Sequence, residues 1–123
     1  KTLLILMPSY HIYDINLSAM NPDKKVIELM TSMGADISKS RPVYFYFYFP
    51  EEETALLFAR RLRSMHFETE VNPPVKKDGD WLCLGSRDMV PDLEILDGLR
   101  RLLTPMAESL FGNYDGWETE MLL

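Results

Sequence analysis

One cysteine among 123 residues, Cys83, leaves no partner within the chain for a disulfide. That scarcity fits a reducing compartment, and a cytoplasmic location is expected. Standing between Leu82 and Leu84, the thiol reads as a buried strand residue, with no adjoining basic residue to make it a nucleophile. Two histidines, His11 and His66, fall in different elements, and neither has a ligand at metal spacing; with one cysteine they are too few for a four-ligand zinc site. His66 reads as a helix-closing residue. The six glycines form no phosphate cradle: Gly79 and Gly85 flank a strand, Gly112 and Gly116 a turn and a strand. No cofactor is expected. Cations are the minority, 13 Lys and Arg against 19 Asp and Glu, for a formal charge of -6. That balance argues against DNA, disfavours RNA, and suits a protein partner with a basic surface. Long apolar runs are missing too. The stretch TLLILM is too short to span a bilayer and has no small-residue cleavage site, so no membrane role is expected.

What is abundant is aromatic alternation. In Pro42–Pro50, PVYFYFYFP, residues Val43, Phe45, Phe47 and Phe49 point one way, and Tyr44, Tyr46 and Tyr48 the other. Period two with β-branched and aromatic residues predicts a strand. Its Phe side reads as core. Its Tyr side, apolar but hydroxyl-tipped, suits a half-wet or contact surface.

A helix is predicted after Asn21 as N-cap, with Pro22 first and Asp23 in the first turn; Val26, Ile27, Met30 and Met33 form its stripe and Gly34 stops it. After the aromatic strand, Glu51–Glu53 open a second helix whose Ala55, Phe58, Ala59, Leu62 and Met65 face inward. A short strand over 67–71 turns Glu68 and Glu70 outward, the mark of a protected edge. Trp81–Leu84 is apolar on both faces and therefore interior to a sheet. A long helix begins near Pro91, with the carboxylates at 88, 92, 94 and 97 at its start and Asp88 a candidate N-cap. Pro105 is expected to kink or split it. Tyr114–Met121 reads as a last strand, with a bulge or tight bend at Asp115-Gly116.

With 46% apolar residues, the chain suffices for one core and not for two domains. The order helix, strand, helix, strand, strand, helix, strand predicts an α+β, ferredoxin-like sandwich. Two main helices and an extra N-terminal one would join a four-stranded antiparallel sheet over residues 21–123, with the first and third strands central. Residues 1–20 are set apart as an arm or added strand that packs along the sheet or pairs with a second subunit as a homodimer. Three covers fit the Tyr44, Tyr46, Tyr48 row: the N-terminal helix and arm or a second copy, another protein, or single-stranded RNA stacked on the open sheet. Against RNA stand the net charge and a lack of Lys or Arg on the central strands. Trp117 fits either a core anchor or an exposed hot spot.

Several of these segments together resemble the regulator of ribonuclease E activity B family, small bacterial protein inhibitors of an RNA-degrading endoribonuclease. The most specific is Tyr114-Asp115-Gly116-Trp117, preceded by the helix LRRLLTPMAESL. Met33-Gly34-Ala35-Asp36, the aromatic strand 43–49 and Gly79-Asp80-Trp81 add to it, so that the likeness spans residues 23–121. The departures are the added segment 1–20 and the lack of a strongly acidic run after the last strand. The resemblance implies a ferredoxin-like sandwich with an extra helix. It also implies a non-enzymatic protein that binds the endoribonuclease and reduces or redirects its cleavage. Its distinctive surface would lie near Tyr114, Asp115, Gly116, Trp117 and Glu118.

Overall fold

Strand β2 (Arg41–Phe49) alternates without a break between buried and half-buried residues, as its sequence requires. The computed structural model describes residues 2–8 and 22–122; the expectations for residues 9–20, His11 among them, and for Asn21 as N-cap lie outside these. In chain order the elements are β1 (Thr2–Pro8), α1 (Pro22–Ser32), β2, α2 (Glu52–Ser64), β3 (Glu68–Asn72), β4 (Trp81–Met89), α3 (Leu93–Glu108) and β5 (Asn113–Leu122). The sheet is antiparallel throughout, in the order β1-β5-β2-β4-β3. The four expected strands are present with β2 and β4 central and the glutamate-bearing β3 at an edge. Outside β5, β1 adds a fifth.

All three helices lie on one side. Val26 and Met30 of α1, Ala55, Phe58, Ala59 and Leu62 of α2, and Leu96, Leu103 and Ala107 of α3 join Val43, Phe45, Phe47 and Phe49 in one core. Phe58 touches both Phe47 and Phe49, with ring centroids 4.6 and 5.2 Å apart. Each fully buried Phe contributes roughly 1.5–3 kcal/mol, so the inward face of β2 is the main stabilising strip of the fold. Met33, expected on the α1 stripe, lies beyond the helix end and is exposed.

Three local outcomes differ from the sequence reading. Strand β4 runs through Gly85 to Met89 rather than stopping at Leu84, because Gly85 lets α2 close down: a Cβ there would meet Leu62 Cδ1 at 2.9 Å. Asp88 therefore lies in a strand, and the N-cap of α3 is Asp92, whose carboxylate accepts from the Glu94 amide at 2.7 Å. Helix α3 is not split by Pro105: it runs unbroken from Leu93 to Glu108, and the proline forgoes the one hydrogen bond its N–H would have donated to the Arg101 carbonyl.

Each helix closes on a left-handed residue with paired return hydrogen bonds: Gly34, His66 and Phe111. Gly34 is the residue type this position favours. Phe111, at φ 64 and 82% exposed, is not, because the glycine beside it serves another purpose. A Cβ on Gly112 would fall 2.3 Å from the Phe49 ring and 2.8 Å from the Tyr48 carbonyl. Gly112→Ala is expected to destabilise the fold by about 3 kcal/mol. Phe111→Gly, which relieves the left-handed strain and loses little burial, is expected to be neutral or stabilising by about 1 kcal/mol. Urea denaturation of the two variants checks both signs.

Candidate interaction face

The face of the sheet turned away from the helices is built from the residues that alternate out of the core. Cross-strand pairing sets Tyr44 opposite Ser86, Tyr46 opposite Leu84 and Tyr48 opposite Leu82. Beyond β4, Glu68 pairs with Ser86, Glu70 with Leu84 and Asn72 with Leu82. On the other side Tyr44 pairs with Glu118 and Tyr46 with Gly116, and Glu120 follows at the same parity. The result is an apolar strip two strands wide, of tyrosines and leucines, between carboxylates on β3 and β5. Asp88 stands at one end of the strip and Asp115 near Tyr48. No Lys or Arg occupies any of these positions on the four strands.

The tyrosines are half-buried by one another and by their neighbours. Tyr46 donates its hydroxyl to Glu118 Oε1 at 2.8 Å. Burial first, then that bond and the Glu118 charge, push its pKa up to about 12. Burial, with the Asp115 charge behind it, raises Tyr48 as well. Both rings are therefore neutral hydrogen-bonding surfaces throughout the physiological range.

The segment Tyr114–Glu118 divides between the two faces. The pairing of β5 with β2 shifts between Tyr46 and Phe47, so Asp115 is the extra residue of a bulge, and Gly116 takes φ 114. Residues three apart on a regular strand face opposite ways; the bulge turns both Tyr114 and Trp117 inward. They are 6% and 1% exposed and are not presented to a partner. Among the candidates in this segment, Asp115 and Glu118 remain for contact, and Gly116 contributes backbone opposite Tyr46.

Trp117 is held by a buried acid. Its indole Nε1–H donates to Asp23 Oδ1 at 3.0 Å, and the other Asp23 oxygen accepts from Arg100 Nε at 3.2 Å. Arg100 and Arg101 also pair with Asp97. This network ties the first turn of α1 to β5 and α3 on the helix side, so α1 does not cover the tyrosine row as one sequence reading had it. Sequence reasoning took Asp23 only as a first-turn acid. Its partner lies 94 residues away, and no spacing signals it.

The central strands do carry two arginines, contrary to expectation, but both face the helices. Arg41, 3% exposed, donates to the carbonyls of Lys39, Asp36 and Glu120. Arg87 lies 4.4 Å above the Phe67 ring. Cys83 is fully buried, and burial pushes its thiol up to about 12, as the strand reading expects. Among the described residues no group of three or more His, Cys, Asp or Glu is placed to hold a metal ion, and no helix is long and apolar enough to cross a membrane.

Helices on one side and, among the described residues, a tyrosine-bearing face that no helix covers on the other define a ferredoxin-like α+β sandwich. The family described as Regulator of ribonuclease activity B matches residues 21–119, from just before α1 into β5, and the chain belongs to that family. No curated protein matches the chain.

Two outcomes test this geometry. Asp23→Ala leaves Arg100 with Asp97 as its remaining carboxylate and the buried indole N–H unpaired, and is expected to destabilise by about 2–3 kcal/mol in chemical denaturation. Tyr46, Tyr48, Tyr114 and Cys83 all have pKa values raised by burial in the fold. Groups raised in this sense stabilise fully below their unfolded pKa values and lose that stabilisation as pH rises through the folded ones. Stability is therefore expected to hold up to the ordinary thiol value of 9.0 and to fall between there and about 12. Tyrosinate absorbance and circular dichroism followed together in an alkaline titration check this.

Proposed function

We propose that the chain is a non-catalytic regulator that binds an endoribonuclease by protein–protein contact, in the cytoplasm, and that the open sheet face is its contact surface. One observation carries the reading: a strip of tyrosine and leucine lies between six carboxylates, Glu68, Glu70, Asp88, Asp115, Glu118 and Glu120, with no cation among them. Tyrosine centres with polar rims are the usual make-up of protein contact surfaces. The family's description, a regulator of ribonuclease activity, supports the kind of target. The endoribonuclease of the bacterial RNA-degrading complex is the particular one the resemblance implies.

The same charges weigh against RNA and against a second copy of the chain. A nucleic-acid backbone needs cations to neutralise its phosphates, and the described residues of this face offer only anions. Two copies laid face to face would set carboxylates against carboxylates.

Pull-down and cleavage assays with the purified endoribonuclease test the reading. Glu118→Lys and Tyr46→Ala proteins that keep the wild-type unfolding midpoint are expected to bind at least about tenfold more weakly and to lose inhibition in step. Lys25→Glu, on the exposed side of α1, should leave both unchanged. Association by the wild type should slow as salt rises. Full inhibition by both open-face variants would refute the assignment of this face.

A further inference from the structure

We infer that the open face receives an arginine-rich protein segment lying extended along β2, its guanidinium groups on Tyr44, Tyr46 and Tyr48 and its charges met by the carboxylates on either side. The inference rests on the preceding reading and specifies which part of a partner this face would take.

Three features lead there. Tyr44, Tyr46 and Tyr48 repeat every second residue of one strand, about 6.8 Å apart, which is also the spacing of alternate side chains in an extended peptide. Arginines at alternate positions would therefore meet successive rings in register. Next, Leu82 and Leu84 widen the ring row into an apolar floor across β2 and β4, on which the methylene stems of long cationic side chains can lie. Finally, the charges that the described residues of β2–β5 place on the face are all of one sign. Glu118 and Glu120 run along one side of the strip, Glu68 and Glu70 along the other, with Asp88 and Asp115 toward its ends. Six carboxylates without an interspersed cation repel one another, and a cationic guest relieves that repulsion.

Arginine fits better than lysine. Its planar, weakly hydrated guanidinium stacks on neutral rings and pairs two-pronged with a carboxylate, whereas an ammonium does neither as well. Glu118 already has one oxygen 2.8 Å from the Tyr46 hydroxyl, so the ring and the acid are held together as one receptor for such a group.

Fluorescence anisotropy with labelled synthetic probes tests this: a peptide with arginine at alternate positions, its lysine counterpart of equal length and charge, and a single-stranded RNA. The arginine peptide is expected to bind about tenfold or more tighter than the lysine peptide at moderate salt. Tyr46→Leu, which changes no charge, should bring the two peptides within about twofold. A Glu70→Gln, Glu118→Gln double variant should weaken both by about tenfold. Variants are compared at matched unfolding midpoints. Equal affinity for arginine and lysine, indifference to Tyr46→Leu, absence of binding, or preference for RNA would each overturn the inference. The two readings fail separately. Retention of the ribonuclease, lost in the open-face variants, with no peptide binding would discard this occupant and keep the face. Arginine-selective binding without ribonuclease retention would do the reverse.

Discussion

The alternation of β2 allows no slip. Its inward phenylalanines and outward tyrosines differ by one residue of register, and a shift of one would bury three hydroxyls and expose the main apolar strip of the core. Pairing on both edges, with β4 and β5, holds that register. Everything on the open face inherits its placement from it: the leucines of β4, the glutamates of β3 and the acids of β5 stand where they do because β2 fixes the count.

On β5 the same constraint is met by breaking regularity once. A straight strand would have sent either Tyr114 or Trp117 to the tyrosine side. The Asp115-Gly116 bulge keeps both inward, Tyr114 against Phe47 at 5.2 Å and Trp117 on Asp23. The buried acid gives the indole a partner and anchors α1, so the added helix belongs to the core side and leaves the opposite face unobstructed by it. A segment that looks like a recognition motif thus does most of its work from inside, and its Asp115 and Glu118 are what reaches the surface.

Much of this was legible in the residues. The alternation in 43–49 marked the central strand, Glu68 and Glu70 marked an edge, and Asp-Gly marked a bulge, each because local chemistry alone dictates it. The extent of β4 was not legible, since Gly85, Ser86 and Arg87 look like a loop until α2 is seen pressing on the glycine. The cap at Asp92 was displaced for the same reason. The carboxylate rims were visible only singly: Glu70 and Glu118 are 48 residues apart in sequence, and only the strand order sets them on one surface. The Asp23–Trp117 contact is a tertiary match with no local signature.

The strand order also constrains how the chain is made. Emerging from the ribosome, β2 meets β4 some forty residues later, but its other edge has no partner until residues beyond 113 have followed. Until then the run VYFYFYF, uncharged and rich in β-forming residues, presents an unpaired edge of the kind that seeds cross-strand association. The nascent protein therefore passes through a window in which its most stabilising strand is also its most adhesive one, and a holding chaperone would find its natural grip there.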